Sequence, residues 1–148
     1  MRYANDMPPV ASSTLAADLR ISVMKLARRL RQQLSEDDIS TGQFSVLGAL
    51  ASRGPRTPRE LADIERVQPP SMTRTLAYLF DAGLVDRTDH PQDGRQVLMS
   101  ITAKGQAVVQ ETRKRRTAWL AQRLAELTPE ERATLKEAST IVMRLAES

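Results

Sequence analysis

The sequence predicts a mainly α-helical chain with one small β-hairpin, and three observations in its 148 residues lead there. Apolar residues recur at steps of three and four near both ends, as they do along amphipathic helices. Three capping boxes, each a Ser or Thr followed three residues later by Glu or Gln, mark helix starts at Ser40, Thr57 and Thr128. Between Gly83 and Thr102 the apolar period becomes two, which indicates a pair of strands.

The elements follow in order. After a loose start through residue 13, Leu15, Leu19, Val23, Leu26, Leu30 and Leu34 form one stripe of a helix over residues 14–34, which "SEDDI" breaks. Ser40 and Gln43 cap a second helix, marked by Phe44, Leu47 and Leu50 and stopped at Gly54-Pro55. Thr57-Pro58-Arg59-Glu60 opens a short third helix with Leu61, Ala62 and Ile64, ending near Glu65.

The next helix, in "VQPPSMTRTLAYLFDAGL", starts at Pro69-Pro70 and ends at Gly83, a natural left-handed cap. At 100° per residue Met72, Leu76, Leu79 and Phe80 cluster on one side, with Ser71, Arg74, Thr75 and Tyr78 roughly opposite. Hydroxyls, a guanidinium and a phenol can hydrogen-bond base edges and phosphates in a DNA major groove. Taken alone, the same helix fits an ordinary solvated face equally well, so its neighbours decide.

Those neighbours are "LVDRTD" and "VLMSIT", where Val97, Met99 and Ile101 alternate with Leu98, Ser100 and Thr102. Pro91 and Gly94 supply turn chemistry between them, giving a hairpin with its tip at residues 90–96. Helix, short helix, reading helix and hairpin in that order form a winged helix-turn-helix over residues 40–101. Arg95 near the tip is long enough to enter a minor groove, whose negative potential attracts arginine.

The flanking helices supply a reason for association. Thr128-Pro129-Glu130-Glu131 caps a last helix in which Leu135, Ala138, Val142 and Leu145 are spaced close to a coiled-coil seam. A small central lobe cannot cover this stripe and the one through Leu15, Leu19 and Val23. Together with a long helix over residues 102–127, carrying Trp119, Leu120 and Leu124, both stripes are assigned to contact with a second copy; packing within one chain is the alternative. The "RKRR" run, Arg113 to Arg116, reads as a solvated turn of that long helix. The fold class is thus mainly α with a small β-hairpin wing: one domain over residues 1–148, a winged helix-turn-helix with N- and C-terminal dimerisation helices.

At these residues the chain resembles the MarR family of bacterial transcriptional regulators, from about Thr14 onward. "PPSMTRTLAYLFDAGLVDR" is similar to the family's recognition helix running into its first wing strand, and "DGRQVLMSIT" to its D-x-R wing signature with the following strand. The resemblance implies a homodimer on double-stranded DNA, with Pro70, Ser71 and Arg74 at the major groove and Arg95 in the minor groove. Gln68, Thr73, Thr75, Tyr78 and Gln96 complete the candidate DNA-binding set. It also implies that Asp93 positions the wing by ion pairing, with Arg87 as the partner considered. Small, often aromatic acids bind between the dimerisation helices and the winged lobe in this family; no residue here is assigned to them.

Composition limits the other classes. The net charge of +4 permits a polyanionic partner, yet residues 53–95 hold seven Arg against seven Asp plus Glu, so a nucleic-acid surface must come from placement. That near-neutral segment favours the alternative, a winged helix that docks on protein without sequence-specific DNA binding. Zero cysteines exclude disulfides, thiolate catalysis and cysteine zinc sites. No apolar leader core opens the chain and no stretch approaches the roughly 20 apolar residues of a membrane span, so a cytoplasmic protein is expected. An enzyme finds little support. His90 is the only imidazole and sits in a Pro/Asp turn, and the six glycines form neither G-x-G-x-x-G nor a P-loop. "DHPQDG" lacks the acidic spacing of a calcium loop, and Asp37-Asp38 and Glu130-Glu131 are explained as helix-start acids. Neither metal nor cofactor is expected; the expected function is a repressor on a pseudo-palindromic operator.

Overall fold

The computed structural model describes residues 10–33 and 39–148. Leu34, the break at residues 35–38 with its Asp37-Asp38 pair, and the first nine residues lie outside the described residues. The chain divides into two compact units, residues 1–33 and 34–148.

The first unit contains α1 (Val10–Arg31), which begins four residues before the expected start at Thr14. Pro9 directly precedes it in sequence, a residue that a helix can follow but not run through. Arg28, Arg29 and Arg31 occupy its last turn, where cations complement the helix dipole. Along the apolar stripe Leu15 is 64% and Val23 42% exposed, while Leu19 is half-buried.

The second unit runs α2 (Thr41–Arg53), α3 (Pro58–Glu65), α4 (Pro69–Asp81), β1 (Val85–Asp89), β2 (Val97–Ile101), α5 (Ala103–Ala125) and α6 (Pro129–Glu147). All three capping boxes form as their spacing predicts. At α2, Gln43 N–H donates to Ser40 Oγ at 3.1 Å and Ser40 N–H donates to Gln43 Oε1 at 2.9 Å. Gly54 (φ 77°) follows the last residue of α2, and Gly83 (φ 74°) stands just past α4, both in the positive-φ region that glycine tolerates.

β1 and β2 pair antiparallel with Val85 opposite Ile101, Arg87 opposite Met99 and Asp89 opposite Val97. A further bridge joins them. Arg56 N–H donates to Met99 O at 3.0 Å and Met99 N–H donates to Arg56 O at 2.8 Å, tying the hairpin to the chain just before α3. Leu47, Leu50, Leu61, Met72, Leu79, Val85, Met99 and Val109 form the core of this unit, so α4 is held along one side by α2, α3 and the hairpin.

The end of α4 is fastened to the start of α5. Thr102 Oγ1 donates to Gly83 O at 2.7 Å and accepts from Gly105 N–H at 3.0 Å, and Lys104 Nζ donates to Ala82 O at 2.9 Å. The bonds to Gly83 O and Ala82 O satisfy carbonyls that a helix C-terminus leaves open, and the bond from Gly105 N–H caps the start of α5. Gly105 permits the approach, because a Cβ there would overlap Leu84 O and Ile101 Cγ1.

Buried residues of α5 (Gly105, Val108, Val109, Thr112) all lie in its first half, and α6 buries none. On α6 Leu135 is 46%, Val142 36% and Leu145 59% exposed, with Ala138 half-buried. The "RKRR" run is not uniformly solvated as expected: the Arg116 guanidinium stands 4.5 Å from the Phe44 ring centroid and that residue is half-buried. Its place on the α2-facing side of α5 is the reason, since an arginine stem can cover apolar surface while its planar head stacks on a ring.

Candidate nucleic-acid interface

α4 separates its residues by kind. Met72, Leu76 and Leu79 are 1%, 5% and 0% exposed, while Gln68, Pro70, Thr73, Arg74 and Tyr78 are exposed and Ser71 and Thr75 half-buried. Phe80, grouped with the packing residues from its angle, is instead 41% exposed. It lies at the border of the apolar stripe, beyond the part that the core covers, and is overlain by Arg87 from β1.

The first turn of α4 has an uncommon donor arrangement. Pro69 and Pro70 carry no N–H, and the amides of Ser71 and Met72 both donate to Gln68 O, at 3.0 and 3.2 Å. A helix start that binds anions does so through free backbone amides, and residues 69–72 offer none, leaving only that of the N-cap Gln68. Side chains must therefore make its polar contacts. Thr73 Oγ1 donates to Pro69 O at 3.0 Å, which leaves its lone pairs outward, and Arg74 makes no ion pair among the described residues. Gln68, at the N-cap, makes no side-chain cap bond, so its amide is available for contact.

The turn between α3 and α4 is closed by Arg66, at φ 54° and ψ 45°, the one non-glycine with positive φ among the described residues. Arg66 N–H donates to Asp63 O and Val67 N–H donates to Ala62 O at 3.0 Å, the paired bonds of a Schellman motif. The sequence carries a signal for it: "ERVQPP" must turn sharply between two helices and has no glycine to do so.

At the wing tip, His90 N–H donates to Gln96 O at 3.0 Å, and Asp93 Oδ1 accepts from Arg95 N–H at 3.1 Å. Asp93 Oδ2 accepts from Gln96 Nε2 at 3.5 Å, and Gln96 N–H donates to Asp93 O at 3.0 Å. The Asp93 carboxylate thus folds the tip in the manner of an Asx turn, leaving Arg95 and Gln96 exposed. The considered ion pair between Asp93 and Arg87 is not formed. Arg87 is opposite Met99 in mid-hairpin, and cross-strand partners share a face, so its side chain turns toward α4, away from the tip.

A groove of about 340 Å³ runs between α4 and the hairpin, lined by Pro58, Thr73, Leu76, Phe80, Arg87 and Val97 among others. Of the seven arginines in residues 53–95, Arg56 is engaged by Glu60 at 3.6 Å. Arg66, Arg74 and Arg95 are exposed on the α3–α4 turn, α4 and the wing tip. Charge that is balanced in number is thereby arranged in place.

Known transcriptional regulators resemble this chain along most of its length. A model of the MarR family matches residues 37–96. An uncharacterised HTH-type transcriptional regulator of Mycobacterium bovis is 45% identical over 137 residues, covering 93% of this chain and 96% of the relative. The multiple antibiotic resistance protein MarR of Salmonella typhimurium is 36% identical over 113 residues, 76% of this chain and 78% of that protein. Among solved structures, a Pseudomonas aeruginosa protein assigned to transcriptional regulation superposes with a TM-score of 0.84 at 34% identity, covering 95% of this chain and 99% of that one.

Proposed function

The chain belongs to the MarR family of transcriptional regulators, and from that premise we propose that it is a homodimeric repressor of a pseudo-palindromic operator. The observation that carries the proposal is the division of α4: three residues seal the core while Thr73, Arg74 and Tyr78 stand outward, and Arg95 is exposed at the wing tip. In this reading Gln68, Pro70, Ser71, Thr73, Arg74, Thr75 and Tyr78 meet the major groove, and Arg95 with Gln96 reaches the adjacent minor groove. Asp93 positions that arginine through the tip backbone.

Two copies are joined by the exposed stripes of α1 and α6, which present Leu15, Leu19 and Val23, and Leu135, Ala138, Val142 and Leu145. A two-fold dimer places its recognition helices about one helical turn of DNA apart, so it reads inverted half-sites. Release by a small aromatic acid fits the groove beside α4, which offers apolar walls and the Arg87 guanidinium for a carboxylate, at a volume ordinary for such ligands.

The test is a salt titration of duplex binding joined to a mass measurement of the complex. A steep fall in affinity with salt, two chains per duplex, and reduced transcription from a promoter overlapping the bound site are expected. Binding that ignores salt supports protein docking instead.

A further inference from the structure

We propose that Arg66, in the α3–α4 turn, is a phosphate-contacting residue that takes over the anchoring role given up by the start of α4. The inference rests on the DNA-binding reading above. Its first support is conformational. Arg66 occupies the left-handed position of a Schellman motif, where glycine is the ordinary residue because a Cβ crowds the backbone there. The chain keeps a long cationic side chain at a position whose local conformation disfavours it, and such outliers collect at functional sites.

The second support is a missing set of donors. In helix-turn-helix docking, the recognition helix enters the groove by its N-terminal end while the preceding helix crosses the DNA backbone. Phosphates at that crossing are ordinarily held in part by backbone amides of a helix start. Here Pro69 and Pro70 have none, and the amides of Ser71 and Met72 are both spent on Gln68 O. Arg66 precedes this turn by three residues, is exposed, and pairs with no carboxylate among the described residues, Asp63 and Glu65 of its own helix included. A guanidinium supplies the N–H donors that the prolines removed.

Because the left-handed conformation suits glycine, Arg66→Gly separates a binding role from a structural one. Its melting temperature should equal or exceed that of the wild type, while the slope of log affinity against log salt should shrink by about two per dimer, one phosphate for each subunit. The same fold loss is expected on a selected operator and on a random 30-base-pair duplex, since phosphates carry no sequence. Arg66→Lys, which keeps the charge, should retain the wild-type slope. An Arg66→Gly protein with the wild-type salt slope overturns the inference, as does a loss confined to the selected operator. A lowered melting temperature with a binding defect that lysine does not restore also overturns it. Wild-type protein without salt-dependent duplex binding overturns the DNA-binding reading and this inference with it.

Discussion

The Arg87 guanidinium carbon stands 4.7 Å from the centroid of the Phe80 ring, joining the middle of the first wing strand to the outer edge of the recognition helix. This contact occupies the arginine that a wing ion pair would have used, and it forms one wall of the groove between helix and hairpin. A guanidinium over an exposed ring is worth about 0.5–1 kcal/mol. A double-mutant cycle with Phe80→Leu and Arg87→Met, read by urea unfolding, should return a coupling of about that size. The corresponding cycle between Arg87→Met and Asp93→Ala should be additive, since Asp93 bonds only within the tip. Coupling found in the second cycle and not in the first would restore the ion pair.

Helix α6 buries no residue, yet it carries Leu135, Ile141, Val142, Met143 and Leu145 at 36% exposure or more. Leu135→Glu combined with Val142→Glu should therefore leave the winged lobe folded while dissociating the dimer. Sedimentation equilibrium gives the mass, and circular dichroism checks that helix content persists. A variant that still sediments as a tight dimer at low micromolar concentration removes α6 from the interface.

Gly105 and Gly48 make opposite predictions from one substitution. A Cβ at Gly105 would overlap Leu84 O, at the joint that fastens α4 to α5, so Gly105→Ala should cost about 1–3 kcal/mol of stability by overpacking. Gly48 lies inside α2 with open space where an alanine methyl would stand, and Gly48→Ala should stabilise by about 0.5–1 kcal/mol through helix propensity. Urea midpoints measure both. Equal shifts would show that the α4–α5 joint is looser than its hydrogen bonds indicate.

What the sequence made legible was whatever has a repeating or local signature. Ser40, Thr57 and Thr128 announced their helices because a capping box is written in four residues, and the hairpin was found from its alternation and its Pro-Gly tip. The division of α4 followed from helical angle alone, except at Phe80. That residue lies on the stripe's border, where angle cannot tell whether the core or an arginine from β1 covers the ring. Single long-range events have no period to read. The bridge of Arg56 to Met99, the stacking of Arg116 on Phe44 and the Thr102 bond to Gly83 each depend on two distant segments meeting. The Asp93–Arg87 pair failed for a related reason, because hairpin register, set by the turn, decided which way Arg87 points.

In the proposed function the outward side of α4 reads DNA sequence while the wing adds affinity, and the two arginines separate these roles. Arg74→Ala should lose about 1–3 kcal/mol per half-site and relax base preference at one position in each half. Arg95→Ala should weaken binding broadly, its remaining preference being lost at A/T-rich flanks where the minor groove narrows. Both side chains are exposed, so the fold should be retained in each variant. The most direct measurement is selection of binding sites from a random duplex library by wild type and by Arg74→Ala, with melting curves alongside. An inverted-repeat operator is expected for the wild type, and a folded variant that has lost discrimination at one symmetric pair of positions. A folded Arg74→Ala protein that selects the same operator with unchanged affinity would contradict this role of α4.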